Sequence, residues 1–200
     1  MPFNLSKKAL KWPFNFSRVS VMTKITLQDL IKDRRPKNED DLVNLSDDVW
    51  AMGDLATIAQ KLDQDAFNLF IATNVIGIWK GDGWGGVLEH NQLLPHVVPA
   101  LTAMGLTDMA HHFEQLLTLF PFDPTDLNVA DHFHDHLNFL LNPRFTVADE
   151  RLSTISDKTR MELSNQFHEE LSVLDDQAEA LWAYDAPDQE GWGMVLAKLH

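Results

Sequence analysis

Nine histidines and 30 acidic residues supply most of the reactive groups of this 200-residue chain, which holds no cysteine. Five of the histidines lie in two groups, His111-His112 and His132-Phe133-His134-Asp135-His136. On a helix, His132 and His136 stand four apart and share a face, a spacing used by zinc sites. Asp131 and Asp135 flank them, where carboxylates orient imidazoles or add ligands. The pair lacks the Glu of a His-Glu-x-x-His motif, and no Glu-x-x-His pair supports a di-iron bundle. One expectation is therefore a metal-binding helical protein, or a metal-dependent enzyme, built on His132 and His136 with His111 or His112. The other is a set of surface imidazoles in an acidic field that raises their affinity for protons.

The remaining chemistry is mostly excluded. Without cysteine there are no disulfides, thiolate nucleophiles, Cys-ligated zinc sites or iron–sulfur clusters. No Gly-x-Ser-x-Gly or Ser-x-x-Lys signature is present. The run Gly81-Asp82-Gly83-Trp84-Gly85-Gly86 is glycine-rich, but a helix leads into it, Asp82 would repel a phosphate and no lysine follows. It reads as a tight turn between helices with Trp84 as a packing anchor. No cofactor is implied.

Acidic residues are the most abundant resource, with 30 against 16 Lys and Arg and a net charge of −14. Their distribution is uneven. Residues 1–37 hold nine basic and two acidic residues, and residues 38–200 hold seven basic and 28 acidic ones. The chain divides on this measure into a basic N-terminal arm, 1–37, and an acidic domain, 38–200. Two readings of the first 21 residues stay open: natural translation begins at Met22, or a basic arm folds back on the acidic body. Within the domain, Asp131 and Asp135 are four apart, and Glu169, Glu170, Asp175, Asp176 and Glu179 follow on one helical segment. Each four-residue step advances about 6 Å along a helix, so such rods present rows of carboxylates. DNA presents about one charge per 1.7 Å of axis. These seven carboxylates are the candidate partner-binding residues, standing in for phosphates toward a basic protein. A chain this acidic does not bind nucleic acid or an anionic membrane by bulk attraction. A plain solvated surface is the alternative.

The elements that must carry these groups read as helices. Apolar residues make up 44% and charged residues 23%, ordinary for a folded domain. Ser46-Asp47-Asp48 reads as a helix start, with Val49, Met52, Leu55, Ala56, Ala59 and Leu62 on one face. Asp65 opens a second helix through Phe67, Phe70, Ile71, Val75 and Ile78 to the glycine run. Leu93–Met104 follows, with Pro95 in a first turn, Pro99 as a kink or restart, and Gly105 as the cap. Thr107 starts a helix with Met109, Ala110, Phe113, Leu116, Leu117 and Phe120 inward, broken by Pro121-Phe122-Asp123-Pro124. Thr125 caps another, with Leu127, Ala130, Phe133 or His134, Leu137 and Leu141 inward, closed by Asn142-Pro143. A long helix from about Ser156 turns Met161, Leu163, Phe167, Leu171, Leu174, Ala178, Leu181 and Trp182 inward, and Pro187 stops it. Trp192–Leu199 forms a last short helix, repeating Gly-Trp-Gly-x-Val-Leu from residues 83–88. The fold class is all-α, with about six to eight helices. No apolar run approaches the roughly 20 residues that span a bilayer, so the cytosol is the default compartment.

The order of features also carries a resemblance. The Trp50 helix, the Gly85-Gly86 turn, Glu89-His90-Asn91, then Ala100–Leu106 and Phe113–Pro121 together resemble the DNA-mimic-protein-like family over residues 47–185. These are small bacterial helical domains. Val87 departs from the aromatic residue that usually follows the family's turn. The resemblance implies an all-helical domain, often a homodimer, without an established catalytic site. In part of the family the acidic surface stands in for DNA toward a transcription regulator. The expected function is thus a non-enzymatic interaction protein for a basic DNA-binding protein. An immunity protein for a basic toxin would use the same physics.

Overall fold

A computed structural model describes residues 23–32, 34–126, 133–142, 144–147, 149–182 and 190–199. It is all-α. The described residues form nine helices, eight of them of seven residues or more. They are α1 (Leu27–Ile31), α2 (Glu39–Trp50), α3 (Leu55–Lys61), α4 (Gln64–Glu89), α5 (Leu94–Ala103), α6 (Thr107–Thr118), α7 (Phe133–Leu141), α8 (Asp157–Trp182) and α9 (Glu190–Ala197). No helix among the described residues is long and apolar enough to cross a membrane.

The long α4 is the axis of the bundle. Ala66 to Thr73 of α4 are all buried, as expected of a helix apolar on all sides. Helices α1, α2, α3, α5 and α8 pack on it. Helix α2 runs antiparallel to it, since Lys80 meets Glu39 at 2.6 Å and Asn74 donates to Ser46 at 2.9 Å. Helices α6 and α7 also pack on α8. Residues 25–31, placed by charge with the basic arm, are packed on this body. Ile25 exchanges backbone hydrogen bonds with Lys61 and Asp63, and Ile31 is buried. Residues 1–22 lie outside the described residues.

Four local expectations are corrected. The face running from Val49 to Leu62 belongs to two helices, because Ala51–Asp54 breaks them. Gly53 has φ 143°, and Asp54 starts α3 by accepting from the Thr57 amide at 2.8 Å. Ser46 lies inside α2, whose N-cap is Asn38, and the cap of α4 is Asp63 rather than Asp65. Side-chain carbonyls or carboxylates at these N-caps satisfy first-turn amides that lack helical partners. Finally, the glycine run is a kink rather than a terminus. Gly83 takes φ 67° and ψ −172°, and helical structure resumes to Glu89.

That conformation is open essentially to glycine alone. Gly83→Ala is expected to lower stability by about 1–3 kcal/mol through backbone strain. A Cβ at Gly81 meets nothing within 4 Å. Gly81→Ala is therefore expected to be neutral or stabilising by up to about 1 kcal/mol. Thermal melts of the two variants check this, and equal melting points would contradict it.

Other boundaries agree with the sequence. Pro95 sits in the first turn of α5, and the helix continues through Pro99 without a restart. Gly105, with φ 86°, closes it, its following amide Leu106 donating to Leu101 at 2.9 Å. The repeated Gly-Trp-Gly-x-Val-Leu segments both lie in helix, in α4 and α9. Trp84 and Val87 in one, and Trp192 and Val195 in the other, are buried three apart.

Candidate partner-binding surface

Helix α8 is fastened at its start through polar side chains. Ser156 Oγ accepts from the Thr159 amide at 3.2 Å. Arg160 donates to the carbonyls of Phe139 at 2.9 Å and Asn142 at 2.6 Å, and its guanidinium lies over the Phe139 ring. Ser164 Oγ donates to the Leu140 carbonyl at 2.7 Å. The last carbonyls of α7, which have no helical partner, are thus satisfied from α8. Arg160 and Ser164 occupy the inward positions there, so Met161 is turned outward. It is 65% exposed, which corrects its expected inward placement.

Further along, Phe167, Leu174, Ala178 and Trp182 form the buried face. Two carboxylates bound that face. Glu170 Oε2 meets His112 Nδ1 of α6 at 2.8 Å. Asp175 Oδ1 accepts from the Trp79 indole of α4 at 3.1 Å. These two candidate residues hold α8 against its neighbours.

Glu169, Asp176 and Glu179 are exposed, the first two on the opposite face of the helix and Glu179 on its flank. Among the described residues none of the three has an ion pair or side-chain hydrogen bond. Glu162 joins the row, seven residues before Glu169. Lys158 reaches it at 3.7 Å. Glu162, Glu169 and Asp176 recur every seven residues, about 10.5 Å along the axis, on a helix about 39 Å long. From Met161 to Trp182 there is no lysine or arginine. Sequence reasoning missed Glu162, although its offset from Glu169 would have found it. Asp135 is half-buried on α7, and Asp131 lies outside the described residues.

Among the described residues, the histidines do not form a metal site with this row. His112 is engaged by Glu170, and His111 is exposed beside it, their ring centres 5.6 Å apart. His136 is enclosed, with Nε2 at 3.6 Å from Asp149 Oδ2 and its ring 5.0 Å from Phe122. His132 lies outside the described residues. Among the described residues no group of three or more His, Asp or Glu side chains is arranged to hold a metal ion.

Asp149 anchors the segment after α7. Its carboxylate accepts three bonds from the Arg151 side chain, two from Nε at 3.0 and 3.2 Å and one from Nη2 at 2.7 Å, and one from the Arg151 amide at 2.9 Å. The guanidinium in turn covers the Phe122 ring at 4.5 Å. The Arg151 side-chain bonds hold the Asp149 carboxyl well below the ordinary carboxylate value of 3.8, against an opposing push from burial. Folding therefore favours the ionised form. This contribution is complete above about pH 4, the unfolded range, and is lost as pH falls through the lower folded value. The expected result is that Asp149→Asn lowers the melting temperature at pH 7 and that the difference shrinks in strong acid. A constant difference down to pH 1 would contradict it.

Comparison with protein-family models, with curated proteins and with solved structures finds no match.

The two kinds of carboxylate on α8 separate experimentally. Glu170→Ala and Asp175→Ala are each expected to cost about 1 kcal/mol, the worth of a hydrogen bond. Glu169→Ala and Asp176→Ala are expected to leave stability within about 0.5 kcal/mol. Urea unfolding of the four variants checks the split, and equal losses in all four would contradict it.

Proposed function

We infer that this protein is a non-enzymatic acidic binder of a basic DNA-binding protein, with the outer face of α8 as its contact. The observation that carries this reading is the row Glu162, Glu169, Asp176 and Glu179. It lies on one rigid helix, and its last three members are free of internal cations among the described residues. Exposed carboxylates with no internal partner are available to an external one. A regular row on a rod offers a partner's lysines and arginines an alternative to phosphates. The resemblance of residues 47–185 to the DNA-mimic-protein-like family agrees with this reading. Glu170 and Asp175, engaged within the fold, are assigned to architecture.

The test is capture from a nuclease-treated extract of the source cell on the immobilised chain at low salt, followed by a salt gradient. The expected result is recovery of a DNA-binding protein that elutes steeply with salt, as charge-dominated association does. A captured basic toxin would instead assign the chain as its immunity protein. Elution indifferent to salt would contradict the acidic contact itself.

A further inference from the structure

The outer face of α2 carries a second surface with a different chemistry. Asp40, Val43, Asp47 and Trp50 fall at i, i+3, i+7 and i+10 and share one side of the helix. All four are exposed, Val43 at 44% and Trp50 at 41%. Neither carboxylate has an ion pair or side-chain hydrogen bond among the described residues. The ridge therefore alternates acidic and apolar groups over about 15 Å.

Trp50 is held in place despite its exposure. Its indole N–H donates to Asn74 Oδ1 at 2.8 Å. The amide of Asn74 donates in turn to the Phe70 carbonyl at 2.7 Å and to Ser46 Oγ at 2.9 Å. The Trp50 ring meets Phe70 edge-on, 5.0 Å between centres. Its polar atom is thus satisfied inward while part of its aromatic surface faces solvent. A rigid exposed indole loses little conformational entropy on binding and is the residue type that most often anchors interfaces.

We propose that this ridge docks a basic amphipathic helix of a partner protein, with Trp50 as the anchor. Charge complementarity selects the occupant. Lysine or arginine side chains meet Asp40 and Asp47, apolar side chains meet Val43 and Trp50, and a guanidinium or ammonium group is also attracted to the indole face. A partner helix with basic and apolar residues at three- and four-residue spacing matches the ridge. The proposal rests on the basic partner inferred above and adds a second contact and a helical ligand.

Calorimetry with two synthetic peptides tests it. One places lysine and leucine at helical spacing, and the other replaces every leucine by glutamine at the same charge. The intact chain is expected to bind the first at least tenfold more tightly than the second at moderate salt. Trp50→Ala is expected to remove that preference. So is the double variant Val43→Ser with Asp47→Lys, which alters only exposed side chains and keeps the test valid where loss of Trp50 unfolds the chain. Lysine at 169, 176 and 179 together should leave the preference intact. Equal binding of the peptides, or a preference that survives the double variant, overturns the proposal. A preference lost only in the α8 variant overturns it too while leaving the acidic-binder reading in place. Preference at α2 with no DNA-binding partner captured supports the ridge and rejects that reading.

Discussion

Replacing Glu169, Asp176 and Glu179 together by lysine is expected to weaken association with the captured basic protein by at least about 100-fold. Each reversal removes an attraction and adds a repulsion. At an exposed interface that costs about 1 kcal/mol or more per site, and 1.4 kcal/mol is a factor of ten. The variant is also expected to fold as the parent does, because none of the three side chains has an internal partner among the described residues. Far-ultraviolet circular dichroism and melting confirm the fold, and affinity at several salt concentrations gives the effect. The slope of affinity against salt should flatten as contacts are lost. Wild-type affinity in a folded triple variant would remove α8 as the contact.

The second large effect is on stability. Phe113→Ala is expected to cost about 3–5 kcal/mol, the range for truncating a buried phenylalanine. Phe113 of α6 is fully enclosed, and its ring lies 5.5 Å from that of Trp84 beyond the α4 kink. Truncation leaves a cavity where α6 meets the last turns of α4, beside the Trp84 ring. Against a total of about 5–15 kcal/mol, that brings the chain close to unfolding. Equilibrium urea unfolding gives the value, with the midpoint lowered and the slope retained. A loss below about 1 kcal/mol would mean that this packing is looser than described.

Phe113 also shows how much of the fold was legible in the sequence. The apolar period of α6, with Pro121 beyond its end and Gly105 before its start, specified its inward residues. The same logic specified the buried positions 167, 174, 178 and 182 of α8. It failed where two signals compete. Ser46-Asp47-Asp48 has the chemistry of a helix start, but Leu42 and Leu45 before it continue the period, so those polar residues lie within a helix. Glycines 81–86 have the chemistry of a turn, yet only Gly83 leaves helical geometry. The inward turn of Phe133 rather than His134 also needed the tertiary structure.

The candidate surface was legible in composition but not in direction. Glu169-Glu170 and Asp175-Asp176 are adjacent pairs, and adjacent residues on a helix point about 100° apart. One member of each pair borders the buried face and the other points to solvent. Measuring each position from Phe167, Leu174 and Ala178 would have separated them. Their partners, His112 and Trp79, lie 58 and 96 residues away, beyond any local pattern. The same limit hid the clamp on Trp50, since Asn74 is 24 residues distant.

The central claim is that carboxylates on α8 take the place of DNA phosphates. Competition tests it most directly: the captured partner is bound to the immobilised chain, and a duplex of the partner's own binding sequence is titrated in. The account predicts complete displacement with mutually exclusive occupancy and no ternary complex. A partner that holds the duplex and this chain at once, at unchanged affinity for each, would contradict it.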